Sequence, residues 1–380
     1  MKKLLMVAAL AVSATAFAQS NVEIYGVLDA GIASISGVGA TNGHSVQFLN
    51  SPMVTSRIGF RGTESLGNDT TAGFNLEQGI ATNDGTQGTS GSTGAGSSAF
   101  GRAANISIGN TVLGNVKVGR QISPLWQAFI VGDVNGGRNT GGGSVFFQDA
   151  SSFGGTATAK TGIGNYTGTN FISNAVRYDS PTFAGFRGTA FVTTGGVVNN
   201  VTASTRTILV GNFNQGPIAA VAAYEHGKNA TGNANSEVGI LGGSYTFSGN
   251  NKIGAGYTQF KNPGAVGAAN SKYDLYQVTG SYDVAPKVVL NGGYFALNDK
   301  VTSSNKSKLW SAGADYNVSK RTTLYVAVAH INNDGANGFA AYGAGGANLN
   351  SLGGSGQYQS YISAPGQSQT VTVAGLKHSF

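Results

Sequence analysis

No cysteine occurs anywhere in the 380 residues. A disulfide framework and thiolate metal ligation are therefore excluded, and stability must come from backbone hydrogen bonds and packing. Long hydrophobic runs are missing too: after residue 18 no apolar stretch approaches the ~20 residues a helix needs to cross a bilayer. Charged residues make up only 10% of the chain, too few for charge-driven disorder, while a mean hydropathy of −0.04 is too low for a bundle of membrane helices. The four histidines (His44, His226, His330, His378) come with no serine and acid at triad spacing, and no phosphate-cradling motif runs through the glycines. The basic residues form no clustered stripe. These absences speak against an enzyme, a cofactor, a metal site and a nucleic-acid partner.

What the chain does have begins at its N-terminus. Lys2 and Lys3, the apolar run 4–12 and Ala16-Phe17-Ala18 read as a secretory signal peptide over residues 1–18, cleaved after Ala18. The mature chain is then 19–380, 362 residues (380 − 18), and its net charge is +5 (+7 − 2). Glycine is abundant, at 60 residues, and gathers in polar runs such as 91–101 and 136–143 that read as flexible loop.

Through the mature chain the hydrophobic pattern has period two. Val22, Ile24, Leu28, Ala30 and Ile32 share one face, and Glu23, Tyr25 and Asp29 the other. A soluble sandwich and a membrane barrel share that period. The segments run about nine to eleven residues, the length a tilted membrane strand needs. Tight connections at 65–69, 180–182, 283–286 and 317–321 alternate with long polar stretches, among them 33–54 and 123–168, and aromatics cluster near strand ends. Together these predict an all-β fold, a 16-stranded antiparallel transmembrane β-barrel with both termini on one side, ending flush at Phe380. The alternation is blurred near 206–214 and 216–226.

Several segments, in order and spacing, resemble the general porins of Gram-negative beta-proteobacteria, the trimeric Neisseria and Burkholderia type. They include Val22-Glu23-Ile24-Tyr25-Gly26-Val27-Leu28-Asp29, Ser56-Arg57-Ile58-Gly59-Phe60-Arg61-Gly62, Gly101-Arg102-Ala103-Ala104, Val118-Gly119-Arg120-Gln121, Tyr178-Asp179-Ser180-Pro181 and Gly375-Leu376-Lys377-His378-Ser379-Phe380. The resemblance implies a homotrimer in the cell outer membrane and a third external loop, 123–168, folded inward to narrow the lumen. It implies a channel for small hydrophilic solutes and inorganic ions, in contact with outer-membrane lipid and lipopolysaccharide. An adhesive barrel with a plugged lumen and partner-binding loops is the alternative.

Charge placement points to anion preference. Eight of the nine arginines lie in the first 206 residues, while 10 of the 14 lysines lie beyond residue 200. Arginine keeps its charge and offers rigid donors where water is scarce. By alternation Arg57, Arg61, Arg177 and Arg187 face the lumen. Arg102 and Arg120 share parity with apolar neighbours, so a bulge, a position above the lipid band or a subunit contact is required, and their pore-lining role is implied by the resemblance alone. Asp133, Arg138 and Asp149 join the expected constriction through the 123–168 loop.

Overall fold

Period-two segments cannot satisfy their backbone groups alone, and in a bilayer only a closed sheet leaves no edge. The computed structural model describes residues 21–39, 41–88, 99–148, 171–228, 231–232, 235–263, 270–335, 337–342 and 363–380. The expected signal peptide, Asp149 and the remainder of the 123–168 loop lie outside these.

The strand segments are β1 (Asn21–Val38), β2 (Gly43–Asn50), β3 (Arg57–Gly67), β4 (Thr70–Ile80), β5 (Gln87–Gly88), β6 (Ala103–Asn110), β7 (Gly114–Ile122), β8 (Phe171–Asp179), β9 (Phe186–Thr193) and β10 (Arg206–Gln215). They continue with β11 (Ile218–Lys228), β12 (Asn235–Phe247), β13 (Asn251–Pro263), β14 (Asn270–Ala285), β15 (Val288–Asp299), β16 (Lys306–Asn317), β17 (Thr322–Asn333) and β18 (Gln369–Ser379). All pairings between them are antiparallel, and β1 pairs with β18 from Val27↔Ser379 to Ser36↔Thr370, which closes the sheet. Phe380 completes the seam by exchanging backbone hydrogen bonds with Gly26.

Two pairs of segments are collinear. β3 covers the first half of β1 and β2 the second, while β5 and β6 lie in line along β4. The 18 segments are therefore 18 − 2 = 16 barrel strands. A barrel this wide has more interior than its own wall side chains can fill.

The outward face is apolar, with Ile24, Ile32, Ile106, Leu209, Leu241 and Val278 all exposed. One expected excursion is mostly strand: within 33–54, β1 continues to Val38 and β2 begins at Gly43. The reason is visible in the side chains. Buried Ala33 and Ile35 keep alternating with polar Ser34 and Ser36, and exposed Val46 and Phe48 continue the lipid face.

The blurred alternation at 206–226 also has a structural cause. In β10 and β11 the outward Leu209 and Tyr224 are apolar, and so are the inward Ile208, Val210, Val221 and Ala223, all buried. Something inside the barrel covers this wall.

Candidate functional site

The cover is the chain between β7 and β8. Ser123 accepts a hydrogen bond from Leu125 N at 3.2 Å and so caps helix α1 (Pro124–Phe129), with proline at its first turn, where a missing N–H costs nothing. A second short helix, α2 (Ser144–Gln148), follows. Helix α1 lies on β10, β11 and β12. Trp126, Phe129 and Phe147 stack on one another with centroids 4.7 to 5.7 Å apart, and Phe147 reaches Phe260 of β13 at 6.0 Å. Phe146 meets Phe339 at 5.2 Å.

Between the helices the chain is hydrogen-bonded along the inner wall. Gln277 Nε2 donates to Phe129 O (3.1 Å), Thr279 Oγ1 to Gly132 O (3.0 Å), Asn135 Nδ2 to Gly292 O (2.8 Å) and Ser311 Oγ to Gly141 O (2.7 Å). The guanidinium of Arg138 pairs with Asp315 of β16, both largely buried. Beyond it, Asn139 N and Thr140 N donate to Met53 O and Pro52 O. That 51–56 segment is itself held by Asp29, whose carboxylate accepts from Met53 N (2.6 Å), Val54 N (2.7 Å) and the Tyr325 hydroxyl (2.6 Å).

The glycines at 136–143 are thus close-packed rather than loose. Gly141 has φ +68°, and a Cβ there would lie 2.5 Å from Ser311 Cβ; Gly137, at φ +66°, would meet the Trp126 ring at 2.6 Å. Asp133 is buried beneath this run and accepts from Gly143 N and Asn135 N. Burial raises its carboxyl above the ordinary carboxylate range, against the opposing pull of those N–H groups.

The other wall, β3 to β9, is basic and is covered only in part. Arg57, Glu77, Arg102, Asn105, Lys117 and Gln121 line one side of a cavity of about 290 Å³, and Trp126, Gly136, Gly137 and Asn139 of the covering chain line the other. Arg102 Nε lies 2.6 Å from Glu77 Oε1, Arg57 Nε is 3.4 Å from Glu77 Oε2, and Arg102 also stacks 4.4 Å over the Phe171 ring. Further along the wall Arg61 holds Glu23 through two bonds of 2.8 and 2.9 Å. Arg177 bonds Asp179 (2.9 Å) and Gln127 of α1 (2.7 Å), and Arg187 lies 3.5 Å from the same Asp179. Among the described residues the wall carries six cations (Arg57, Arg61, Arg102, Lys117, Arg177, Arg187) against its own Glu77 and Asp179 and the Glu23 of β1 that Arg61 holds, a net +3 (6 − 3).

Arg57, Arg61, Arg177 and Arg187 lie on the inward face. Arg102 escapes its parity because it precedes β6: its backbone N bonds Glu77 O at 3.0 Å before the ladder starts. Arg120 stays outward. It pairs with Ala104, beside a register shift at Gly119/Gln121, and its guanidinium bonds Gly101 O (2.5 Å) and Ser173 Oγ (2.7 Å) at the strand end. Arg138 and Asp133 anchor the covering chain to its wall. Lys117 is the cation that sequence reasoning missed, although its alternation with Val116 and Val118 is the same signal that marks the arginines.

A closed transmembrane barrel with a basic inner wall and a chain folded over the other defines the outer-membrane channel class. The chain belongs to the Gram-negative porin family, whose family model matches residues 5–336. Outer membrane porin protein 32 of Delftia acidovorans is 29% identical over 387 residues, covering 100% of this chain and 99% of that protein. An outer membrane porin protein of Bordetella pertussis is 27% identical, covering 86% of this chain and 93% of that one. Among solved structures, an anion-selective porin from Comamonas acidovorans superposes with a TM-score of 0.76 at 24% identity, covering 95% of this chain and all of that one. The place of this barrel is the Gram-negative outer membrane.

Proposed function

We propose that the protein is a diffusion channel for small hydrophilic solutes and inorganic ions that prefers anions. The observation that carries the reading is the net +3 of the open wall, facing a covering chain whose own nearby groups, Trp126, Gly136, Gly137 and Asn139, are uncharged. In this reading Arg57, Arg61, Arg102, Lys117, Arg177 and Arg187 line the path, and fixed cations at a constriction select ions of opposite sign. Arg57 and Arg102 share Glu77, and Arg177 and Arg187 share Asp179, which keeps anion binding weak enough for release. Arg138 and Asp133 hold the chain that narrows the path. The working form is a homotrimer, as in the porins the sequence resembles, with residues 1–18 removed on export.

The reading is tested by refolding the protein into planar bilayers under a salt gradient. Stepwise ohmic conductance with a reversal potential of anionic sign is expected. A closed barrel, or a cationic sign, contradicts it.

A further inference from the structure

The cavity of about 290 Å³ carries hydrogen-bond acceptors that the passage of simple anions does not use. Three of its lining side chains are amides: Asn105 of β6, Gln121 of β7 and Asn139 of the covering chain. Each commits an N–H to a backbone carbonyl. Asn105 Nδ2 donates to Arg120 O at 2.8 Å, Asn139 Nδ2 to Ser51 O at 2.7 Å and Gln121 Nε2 to Gly119 O at 3.3 Å. Only the nitrogen of an amide side chain can donate to a carbonyl, so these partners fix all three orientations and turn the amide oxygens the other way. Among the described residues none of the three oxygens accepts a hydrogen bond. Gln121 is the clearest of them. It is 2% exposed, and its buried Oε1 has no partner, an arrangement that costs free energy unless something else donates.

The cation beside these acceptors is Lys117, on the same face of β7 as Gln121. Asn105 pairs with Gly119, between the two, so Lys117 lies one same-face step beyond Asn105, about 7 Å further from the long-loop end. Among the described residues its ammonium group makes no ion pair and no hydrogen bond, whereas Arg57 and Arg102 of the same cavity share Glu77. Chloride would use the cation and leave the acceptors unpaired. A ligand that satisfies both carries one negative charge at one end and several O–H donors beyond it.

We propose that the cavity binds a sugar acid, a monosaccharide bearing one carboxylate. Lys117 holds the carboxylate, and the amide oxygens of Asn105, Gln121 and Asn139 accept from the hydroxyls. The volume lies at the small end of ligand pockets, which suits one monosaccharide unit, and the Trp126 ring supplies an apolar side for the C–H face of the sugar. One unpartnered ammonium group matches one charge, which sets a sugar acid apart from a doubly charged sugar phosphate. The inference rests on the channel reading and adds a ligand class to the same cavity.

The test is the chloride current of the refolded protein in planar bilayers at about 0.1 M salt, where screening is moderate, titrated with D-glucuronate, acetate, glucose and a hexose phosphate. Glucuronate is expected to block with an apparent Kd at least about tenfold below those of acetate, which has the charge without the hydroxyls, and glucose, which has the hydroxyls without the charge. Gln121→Met keeps the length of the side chain and removes the acceptor, and it is expected to weaken the glucuronate block about tenfold. A chloride current that glucuronate leaves untouched overturns the inference while the channel reading stands. So does equal block by acetate or glucose, tighter block by the hexose phosphate, or undiminished block of Gln121→Met. A barrel closed to chloride overturns both. Heat-modifiable gel mobility checks folding. Should Gln121→Met not fold, the comparison of ligands on the unmodified protein decides.

Discussion

The two halves of the barrel share antiparallel pairing and an apolar outer face, yet their inner faces differ in kind. From β3 to β9 the inward positions include Arg57, Arg61, Lys117, Arg177 and Arg187. From β10 to β16 they carry Ile208, Val210, Ile240, Leu275, Phe295 and Leu309, buried under a segment of chain. An apolar inner face facing an aqueous lumen leaves hydrophobic area exposed, and covering it recovers about 25 cal/mol per Å². The covering chain is therefore held mainly by the wall it hides, and in the proposed reading the opposite wall forms the passage.

The comparison breaks most visibly if the covering chain loses its grip. Phe129→Ala with Phe147→Ala removes two rings packed 4.7 Å apart, at a cost of about 3 to 5 kcal/mol each. The chain then detaches while the barrel persists. Single-channel recordings are expected to show larger and noisier conductance, with heat-modifiable mobility retained.

Much of this architecture can be read from residue alternation. The strands, the seam at Phe380 and the inward parity of Arg57, Arg61, Arg177 and Arg187 all follow from period two. Arg102 could not be placed, because it lies one residue before its strand and parity does not reach it. Asp29 and Asp133 look like ordinary lumenal acids in the sequence, and only the fold shows that they clamp backbone N–H groups. The covered wall was present in the sequence as a defect: the blurred alternation near 206–226 is apolarity on both faces. Gly136 to Gly143 suggested looseness, since composition does not distinguish a glycine needed for flexibility from one needed for close approach.

Within the basic wall, depth separates two ion pairs. Arg102→Ala strands the largely buried Glu77, and breaking such a pair costs about 3 to 5 kcal/mol. Arg57, at 3.4 Å from the same carboxylate, recovers part of this. Arg61→Ala breaks an exposed pair with Glu23 and costs about 0.2 to 1 kcal/mol. Denaturant unfolding of the refolded barrels checks the order, and an equal loss for both contradicts the burial argument.

Selectivity sharpens the contrast further. Arg57→Ser with Arg61→Ser lowers the open wall from +3 to +1 (3 − 2). Two unit charges about 10 Å from a passing ion are worth about 0.8 kcal/mol together in water, and screening at 0.1 M cuts this to about 0.3 kcal/mol. Anions lose that attraction and cations lose the matching repulsion, so the anion-to-cation permeability ratio is expected to fall about threefold at low salt. At 1 M the difference shrinks as the Debye length drops to about 3 Å. Reversal potentials report both.

The smallest effect concerns Asp133 beneath the covering chain. Its raised folded-state pKa means that the folded protein holds the proton more tightly than the unfolded chain. The stability this contributes is present below the unfolded value and is lost as pH rises through the folded one. Thermal melts from pH 4 upward are expected to show a decline in the unmodified protein that Asp133→Asn lacks.

The absence of native cysteine permits the most direct test of the two-wall account. A single cysteine is placed at Lys117 on the open wall or at Ile240 on the covered one, and anionic or cationic thiol reagents are added while current is recorded. The account predicts rapid modification and a current drop at position 117, faster with the anionic reagent, and no reaction at position 240. Equal reaction at both positions, or faster attack by the cationic reagent at 117, would contradict it.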